Sequence, residues 1–201
     1  MGDKFRTVAK FSLGLVTLGA MLFVTSAPAR GIPPGRFSEP QNADVREEDP
    51  WIVARGKVVV LIFVRADCPI ANRYAPEIQR LRDAHVANAA FWMVYPDKKE
   101  TAEVIREHQR EFRLTLPVLR DADRRLTKRA EVSITPEAAV FDAKGRLVYH
   151  GRIDNWFEDI GRARPAATTH ELADAIAAAV SGHPQTLPNA PAIGCYLSDV
   201  Q

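Results

Sequence analysis

The sequence predicts an α/β domain with a central mixed sheet flanked by helices, and three observations support this. Apolar runs typical of strands buried on both faces alternate with segments of helical periodicity. Two further short strands are joined by a tight turn near the end of the domain. Of the 201 residues, 46% are hydrophobic and 26% charged, which allows a core and excludes a disordered or collagen-like chain.

The first strand and helix have the clearest pattern. The run at 58–64 (VVVLIFV) is apolar and β-branched throughout, as in a strand covered on both faces. A helix is predicted to begin near Pro69, because four apolar residues then recur every three or four positions: Ile70, Tyr74, Ile78 and Leu81. A second buried strand is expected at 90–95 (AFWMVY).

A second helix is predicted over 101–112, with one face formed by Val104, His108 and Phe112. A short strand at 117–119 and a short helix at 123–130 follow as a β-α insertion. Strands connected through helices run parallel, so this half of the sheet is expected to be parallel.

Two short strands at 138–142 and 146–150 form a predicted antiparallel hairpin, in which Gly145 supplies the positive φ of a tight turn. In the last helix, Thr168 and Glu171 have the spacing of a capping box. The apolar stripe of that helix is expected to contain Leu172, Ile176 and Val180, and Gly182 and Pro184 end it.

Residues 1–29 have the three-part pattern of a secretory signal peptide. Three basic residues precede a fourteen-residue apolar run at 11–24, and Ala27-Pro28-Ala29 offers a cleavage site. A helix of that length spans about 21 Å, less than a hydrocarbon core of roughly 30 Å. We therefore predict an exported, periplasmic or extracytoplasmic protein. The alternative is an uncleaved segment that anchors the chain, which would be its only membrane contact.

The remaining chain divides into three parts. Residues 30–52 are rich in proline, glycine and charge and are expected to form a linker or surface wrap. Residues 53–182 hold the predicted domain, and 183–201 form a C-terminal tail.

Charge and cysteine content exclude several classes of function. The net charge is +2, and residues 1–29 hold three basic residues and one acidic residue, which leaves 24 of each sign in the remainder. Such a balance argues against nucleic acid as the main partner. Two cysteines are too few for a disulfide scaffold or a four-cysteine zinc site. We predict neither a metal nor a cofactor, because no ligand spacing links the five histidines, His85, His108, His150, His170 and His183.

Cys68 is the residue most suited to chemistry. It lies between the first buried strand and its helix, where ligands of α/β sheets bind and helix amides stabilise a thiolate. Asp67, Pro69 and Asn72 form the same turn, and Arg65 is a candidate electrostatic support. The alternative interpretation is that Cys68 is a small buried hydrophobe.

The segment at 66–78 (ADCPIANRYAPEI) resembles the active-site turn and first helix of the thioredoxin superfamily. As in that family, a proline, Pro76, follows the cysteine at eight positions. Thr135-Pro136 resembles the family's cis-proline loop, which faces the cysteine. The resemblance implies that Cys68 is the nucleophile and that Thr135 and Pro136 offer backbone for substrate docking.

More narrowly, the chain is similar to exported bacterial redoxins of the alkyl hydroperoxide reductase/thiol-specific antioxidant group, which combine a DCPISNRYAPE-like turn with a late Gly-Cys. Here these are DCPIANRYAPE and Gly194-Cys195. The resemblance implies a protein or small-molecule disulfide or a peroxide as substrate, and an external thiol as reductant.

Several departures keep the activity open. A thioredoxin dithiol needs a second cysteine where Ala71 stands, and the buried acid of its first strand falls at Ile62. The threonine that a peroxiredoxin places three residues before its cysteine is Arg65. Copper carriers of this fold have a second cysteine where Asn72 stands.

Cys195 is the only candidate partner for Cys68. A lone thiolate can open a disulfide but needs a second thiol to release the product. The tail that carries Cys195 is expected to be mobile, so this thiol could fold back to Cys68, reach another subunit or stay free. An intrachain disulfide between Cys68 and Cys195 would stabilise the folded state by roughly 4–5 kcal/mol in the chain-entropy model, because the loop that it closes is long.

Two further features are judged less important. Arg152 could point its guanidinium toward the cysteine end or form a surface ion pair. The mixed-charge loop at 97–100 is expected to have no special function.

The predicted function is therefore an exported thiol–disulfide redox protein that uses Cys68 and, as a possible resolving thiol, Cys195. A peroxiredoxin-like thiol peroxidase and a non-catalytic binding module are alternatives. A metal carrier is a third, disfavoured by the absence of ligand spacing.

Overall fold

A computed structural model describes residues 49–183 and 190–197. The predicted signal peptide, most of the predicted linker and the capping proline Pro184 lie outside these residues. The helices are α1 Pro50–Ala54, α2 Pro69–Arg73, α3 Ala75–His85, α4 Ala102–Glu111, α5 Arg125–Arg129 and α6 Glu171–Val180. The strands are β1 Val58–Phe63, β2 Ala89–Tyr95, β3 Val118–Arg120, β4 Ile134–Thr135, β5 Glu137–Phe141, β6 Leu147–Gly151, β7 Phe157–Asp159, β8 Arg162–Ala163 and β9 Cys195–Tyr196.

Five strands form the central sheet in the order β3-β2-β1-β5-β6. The pairs β1–β2 and β2–β3 are parallel, whereas β1–β5 and β5–β6 are antiparallel. This arrangement confirms the predicted mixed sheet, with β3 and α5 as the insertion after α4.

Both faces of the sheet are buried, as the unbroken apolar run of β1 predicts. Val60 and Ile62 pack into one apolar cluster with residues of α3 and α6. Leu61 and Phe63 pack into a second cluster on the opposite face. Every residue of β1 is buried, so this strand forms the centre of the fold.

The first predicted helix is two helices, because α2 ends at Arg73 and α3 begins at Ala75. All four residues predicted for its apolar face are buried, namely Ile70, Tyr74, Ile78 and Leu81. The turn of the predicted hairpin also agrees with the structure, since Gly145 has a φ of 75°.

Two apolar positions were predicted wrongly. Val104 is 43% exposed and Val180 is 37% exposed. In α4 the buried residues are Ile105 and His108, so Ile105 and not Val104 shares the buried face with His108. In α6, Ala175 and Ala179 complete the buried face beside Ile176, so small residues and not Val180 pack there.

The predicted capping box at the start of α6 is also wrong. The helix begins at Glu171 with His170 as its N-cap residue. The amides of Thr168 and Thr169 instead donate to the Asn155 side-chain oxygen at 2.7 and 3.1 Å. The sequence before α6 is therefore held by a loop side chain and not by its own cap.

Several short elements were not predicted. The helix α1 begins inside the segment expected to be a linker, and β7–β8 and β4–β9 form two-stranded sheets. Among the residues at 49–183 and 190–197, no helix has the length and apolar character needed to cross a bilayer.

Candidate active site

Cys68 lies where the sequence predicts, between the end of β1 and the start of α2. It is the N-cap residue of α2, whose first residue is Pro69. The side chain is fully buried, at 0% exposure, and its Sγ donates to the Thr135 carbonyl oxygen at 3.1 Å. The Cys68 sulfur is therefore shielded from solvent, and it contacts the Thr135-Pro136 loop that the sequence predicts to face it.

The Thr135-Pro136 peptide bond is cis, as the sequence predicts. Thr135 is buried and belongs to β4, so its carbonyl is held in position by a strand. This fixed carbonyl is the acceptor that Cys68 contacts.

The second cysteine reaches the same loop from the C-terminal end of the chain. In the antiparallel pair of β4 with β9, Cys195 stands directly opposite Thr135. The Thr135 hydroxyl donates to the Cys195 carbonyl at 3.4 Å. Both thiols are free. Thr135 therefore contacts Cys68 through its carbonyl and pairs with the residue that carries the other thiol.

The thiol of Cys195 is unusually hard to ionise. Burial raises its pKa to about 11, and the hydrogen bond and charge of Cys68 act in the same direction. Asp67 adds to this effect, while Arg65 opposes it. Cys195 is therefore a protonated thiol at neutral pH.

Residues 190–197 are held firmly, which differs from the mobile segment that the sequence suggests. The Ala190 carbonyl accepts from the Arg152 amide at 3.0 Å, and the Leu197 amide donates to Ser133 at 3.0 Å. Leu197 itself is 5% exposed and packs into one of the two apolar clusters. We call residues 190–197, which include the two-residue strand β9, the tail strand.

The turn before Cys68 is anchored on one side by neutral side chains. The Asn72 amide nitrogen donates to the Ala66 carbonyl at 3.0 Å, which leaves the Asn72 oxygen facing His108 at 2.8 Å. His108 Nδ1 lies 2.7 Å from the Tyr95 hydroxyl. Burial lowers the pKa of His108 to about 4, so its neutral ring donates to Asn72 and accepts from Tyr95.

Glu100 anchors the same turn from the other side and was missed by the sequence analysis. It is only 7% exposed, and its Oε1 accepts from the Ala66 amide at 2.6 Å. Burial raises the pKa of Glu100 to about 7. The one available signal was its position shortly after β2, since the carboxyl ends of neighbouring parallel strands meet at one sheet edge.

The two predicted electrostatic supports differ in their placement. Arg65 lies in the turn and binds Asp67 at 2.7 Å, so it remains beside the cysteines. The Arg152 guanidinium instead binds the Glu171 carboxylate, with Nε 3.0 Å from Oε1. Arg152 therefore forms the ion pair that was the alternative interpretation, because α6 offers it a carboxylate.

Within the described part of the chain, one cluster could present three ligand atoms to a cation. Glu77, Asp154 and His170 hold these atoms within 4.8 Å of one another. Asp154 already accepts from the Tyr74 hydroxyl at 2.6 Å, and Glu77 binds Arg80. We assign no metal to this cluster.

Comparisons with known proteins agree with this arrangement. The model of the AhpC/TSA family matches residues 37–150. Curated proteins yield no match in sequence.

Similar solved structures share the fold. An uncharacterized conserved protein of Geobacillus kaustophilus is 20% identical, with 71% of this chain and 77% of that chain covered and a TM-score of 0.56. A hypothetical protein of Sinorhizobium meliloti 1021 is 21% identical, with 71% and 80% covered and a TM-score of 0.57. A thioredoxin-like protein in its oxidized form is 18% identical, with 68% and 86% covered and a TM-score of 0.51.

Proposed function

We propose that this chain, which belongs to the AhpC/TSA family of thioredoxin-like redox proteins, exchanges disulfides through Cys68 and closes an intrachain disulfide to Cys195. One observation carries the proposal. Thr135 accepts a hydrogen bond from the Cys68 thiol and is paired across β4–β9 with Cys195. Two cysteines that are 127 positions apart in sequence therefore meet at one residue.

The reaction proceeds in two exchanges. The Cys68 thiolate attacks one sulfur of a substrate disulfide, forms a mixed disulfide and releases the other sulfur as a thiolate. Cys195 gives up its proton to solvent and attacks the Cys68 sulfur, which breaks the mixed disulfide and releases the second substrate thiolate, and the two substrate thiolates take up protons from solvent. In total, two protein thiols become one disulfide and the substrate disulfide becomes two thiols. An external dithiol reverses the change in the protein.

The Cys195 thiol has the property that this order requires of the second nucleophile. The raised pKa of Cys195 keeps it protonated at neutral pH, so it is a poor first nucleophile. Once Cys68 is bonded to substrate, it no longer offers the hydrogen bond or the charge that hold the proton on Cys195. Cys195 is then better able to attack, which suits a resolving thiol.

Substrate access requires the tail strand to move. The Cys68 sulfur is fully buried, and β9 occupies the edge of β4 beside it. A substrate disulfide that docks on Thr135 and Pro136 takes the place of the tail strand. When the tail strand returns, Cys195 is delivered to the mixed disulfide.

The substrate class is a protein or small-molecule disulfide outside the cytoplasm. Export is proposed from the pattern of residues 1–29, and the oxidising compartment suits a thiol pair. Intact mass of the protein isolated from its host tests this, because cleavage after Ala29 removes the predicted segment. A full-length mass in the membrane fraction would support the anchored alternative instead.

Stoichiometry of exchange with an aromatic disulfide tests the proposal. The reduced protein is expected to release two aromatic thiolates per chain, because Cys195 displaces the second. The Cys195→Ser variant should release one and stop at a mixed disulfide, and Cys68→Ser should react far more slowly. If Cys68→Ser reacts as fast as the unaltered protein, Cys68 is not the nucleophile. Rapid loss of peroxide, with no exchange, would favour the thiol peroxidase.

A further inference from the structure

Glu100 is a buried carboxyl group that the two exchanges do not use. Its Oε1 accepts a hydrogen bond from the Ala66 amide at 2.6 Å. Its Oε2 is buried and makes no hydrogen bond within residues 49–183 and 190–197. Leaving a carboxylate oxygen buried and unpaired costs free energy, so the position calls for an explanation other than stability.

We propose that Glu100 is a positioning residue for Cys68, which holds the turn at Ala66 and changes the reactivity of the Cys68 sulfur as its own carboxyl gains or loses a proton. This inference rests on the proposed function, in which Cys68 is the nucleophile. The reactivity of the Cys68 sulfur is then controlled by the carboxyl group of Glu100, which lies on the loop after β2.

The connection runs through one peptide segment. Ala66 lies two residues before Cys68, and its carbonyl is fixed by Asn72. Its amide is fixed by Glu100, so the turn is held from both ends by side chains of different elements. A carboxylate is a stronger acceptor than a neutral carboxyl group, and the hold on the Ala66 amide therefore depends on the charge of Glu100.

Burial has the largest influence on Glu100 and raises its pKa to about 7, so the carboxyl changes charge near neutral pH. Among the described residues, the hydrogen bond from the Ala66 amide lowers this pKa, Asp97 on the same loop and Asp67 in the turn raise it, and Arg65 in the turn lowers it. Burial, and after it the charge of Glu100, raises the pKa of the Tyr95 hydroxyl of β2.

The direct test is the pH dependence of Cys68 alkylation in the reduced full-length protein. Iodoacetamide is added between pH 5.5 and 9.5, and Cys68 labelling is measured by peptide mass spectrometry. Glu100→Gln is compared with the unaltered protein and with Glu103→Gln. Glu103 is a matched control, because its exposed carboxylate binds Arg106 within the same helix, α4.

The unaltered protein and Glu103→Gln are expected to show an inflection near pH 7 that Glu100→Gln lacks. A negative charge beside the turn opposes a second one on the sulfur, so Glu100→Gln should react about threefold faster at pH 8.5. Superimposable profiles for the three proteins would overturn the inference while leaving the proposed function intact. If Cys68 in the unaltered protein neither alkylates nor exchanges disulfides, both fall together.

A second measurement needs no variant. The Ala66 amide proton shift, followed by NMR, should titrate with a midpoint near pH 7, because its acceptor is the Glu100 carboxyl. A shift that stays constant from pH 5.5 to 8.5 would overturn the inference.

Discussion

Replacing Gly194 by alanine should separate the tail strand from the active-site loop. A Cβ atom at Gly194 would lie 2.0 Å from the Thr135 carbonyl oxygen and 2.7 Å from its carbonyl carbon. Both contacts are with backbone, so no side-chain rotation relieves them. The φ of Gly194 is not in the left-handed region, and the effect is therefore steric alone.

The size of the effect follows from what the tail strand contributes. Its hydrogen bonds to Arg152, Ser133 and Thr135 contribute about 1 kcal/mol each. Burial of the Leu197 side chain contributes about 2 kcal/mol. Closure is therefore worth about 5 kcal/mol, which corresponds to roughly one open molecule in five thousand. Because alanine must displace the strand by about 1 Å or more, we expect most of this closure energy to be lost.

The assay is the rate at which iodoacetamide labels Cys68 at constant pH. Gly194→Ala should label about a hundredfold faster than the unaltered protein, since the open state is no longer rare. Tyr196→Ala is the matched control, because it changes a 71% exposed side chain of the same strand and leaves the backbone unobstructed. Equal rates for Gly194→Ala and the unaltered protein would refute the view that the tail strand limits access to Cys68.

Three further predictions concern stability. The pKa of Glu100 is about 7 in the folded protein and 4.5 as its ordinary value in the unfolded chain. The contribution of Glu100 to the free energy of unfolding is therefore fully present below pH 4.5 and is lost as pH rises through 7. Between pH 5 and pH 8, the free energy of unfolding in urea should fall by about 2 kcal/mol more in the unaltered protein than in Glu100→Gln, and parallel curves would contradict this. His108→Phe fills the ring's space but leaves the buried Tyr95 hydroxyl and the half-buried Asn72 oxygen without their His108 partner, so it should cost about 2 kcal/mol in urea unfolding; a cost below about 0.5 kcal/mol would contradict the bonding described. Glu171→Gln should cost about 1 kcal/mol at pH 7, because hydrogen bonds, foremost that from Arg152, hold the Glu171 pKa below its ordinary value despite burial. That cost should shrink and then vanish as pH falls below the ordinary carboxyl value of 4.5 and Glu171 takes up a proton, and a cost that persists in strong acid would contradict it.

Long apolar patterns predicted the fold well. The run that became β1 and the run that became β2 are apolar over their whole lengths, and only a strand buried on both faces needs this. The position of Cys68 followed from its place at the end of the first strand, whereas the role of Pro136 followed from the resemblance to the cis-proline loop of the thioredoxin superfamily. Motifs tied to strand ends can be located from sequence because the sheet fixes where those ends lie.

The features that were missed depend on contacts between distant segments. The pair β4–β9 is two residues long on each side, too short for any periodic signal. Glu100 belongs to a run of charged residues, and in the fold it is buried with its carboxyl group against the turn before Cys68. Val180 is the last residue of α6, and Ala179 beside it takes the buried position at that end of the helix.

The central claim, that Cys68 reacts first and Cys195 resolves it, is tested most directly by mapping the products of glutathione disulfide. After oxidation, the account predicts a Cys68–Cys195 bond in the unaltered protein and glutathione attached to Cys68 in the Cys195→Ser variant. Glutathione found on Cys195 beside an unmodified Cys68, or two thiols that both remain free to alkylate, would contradict it.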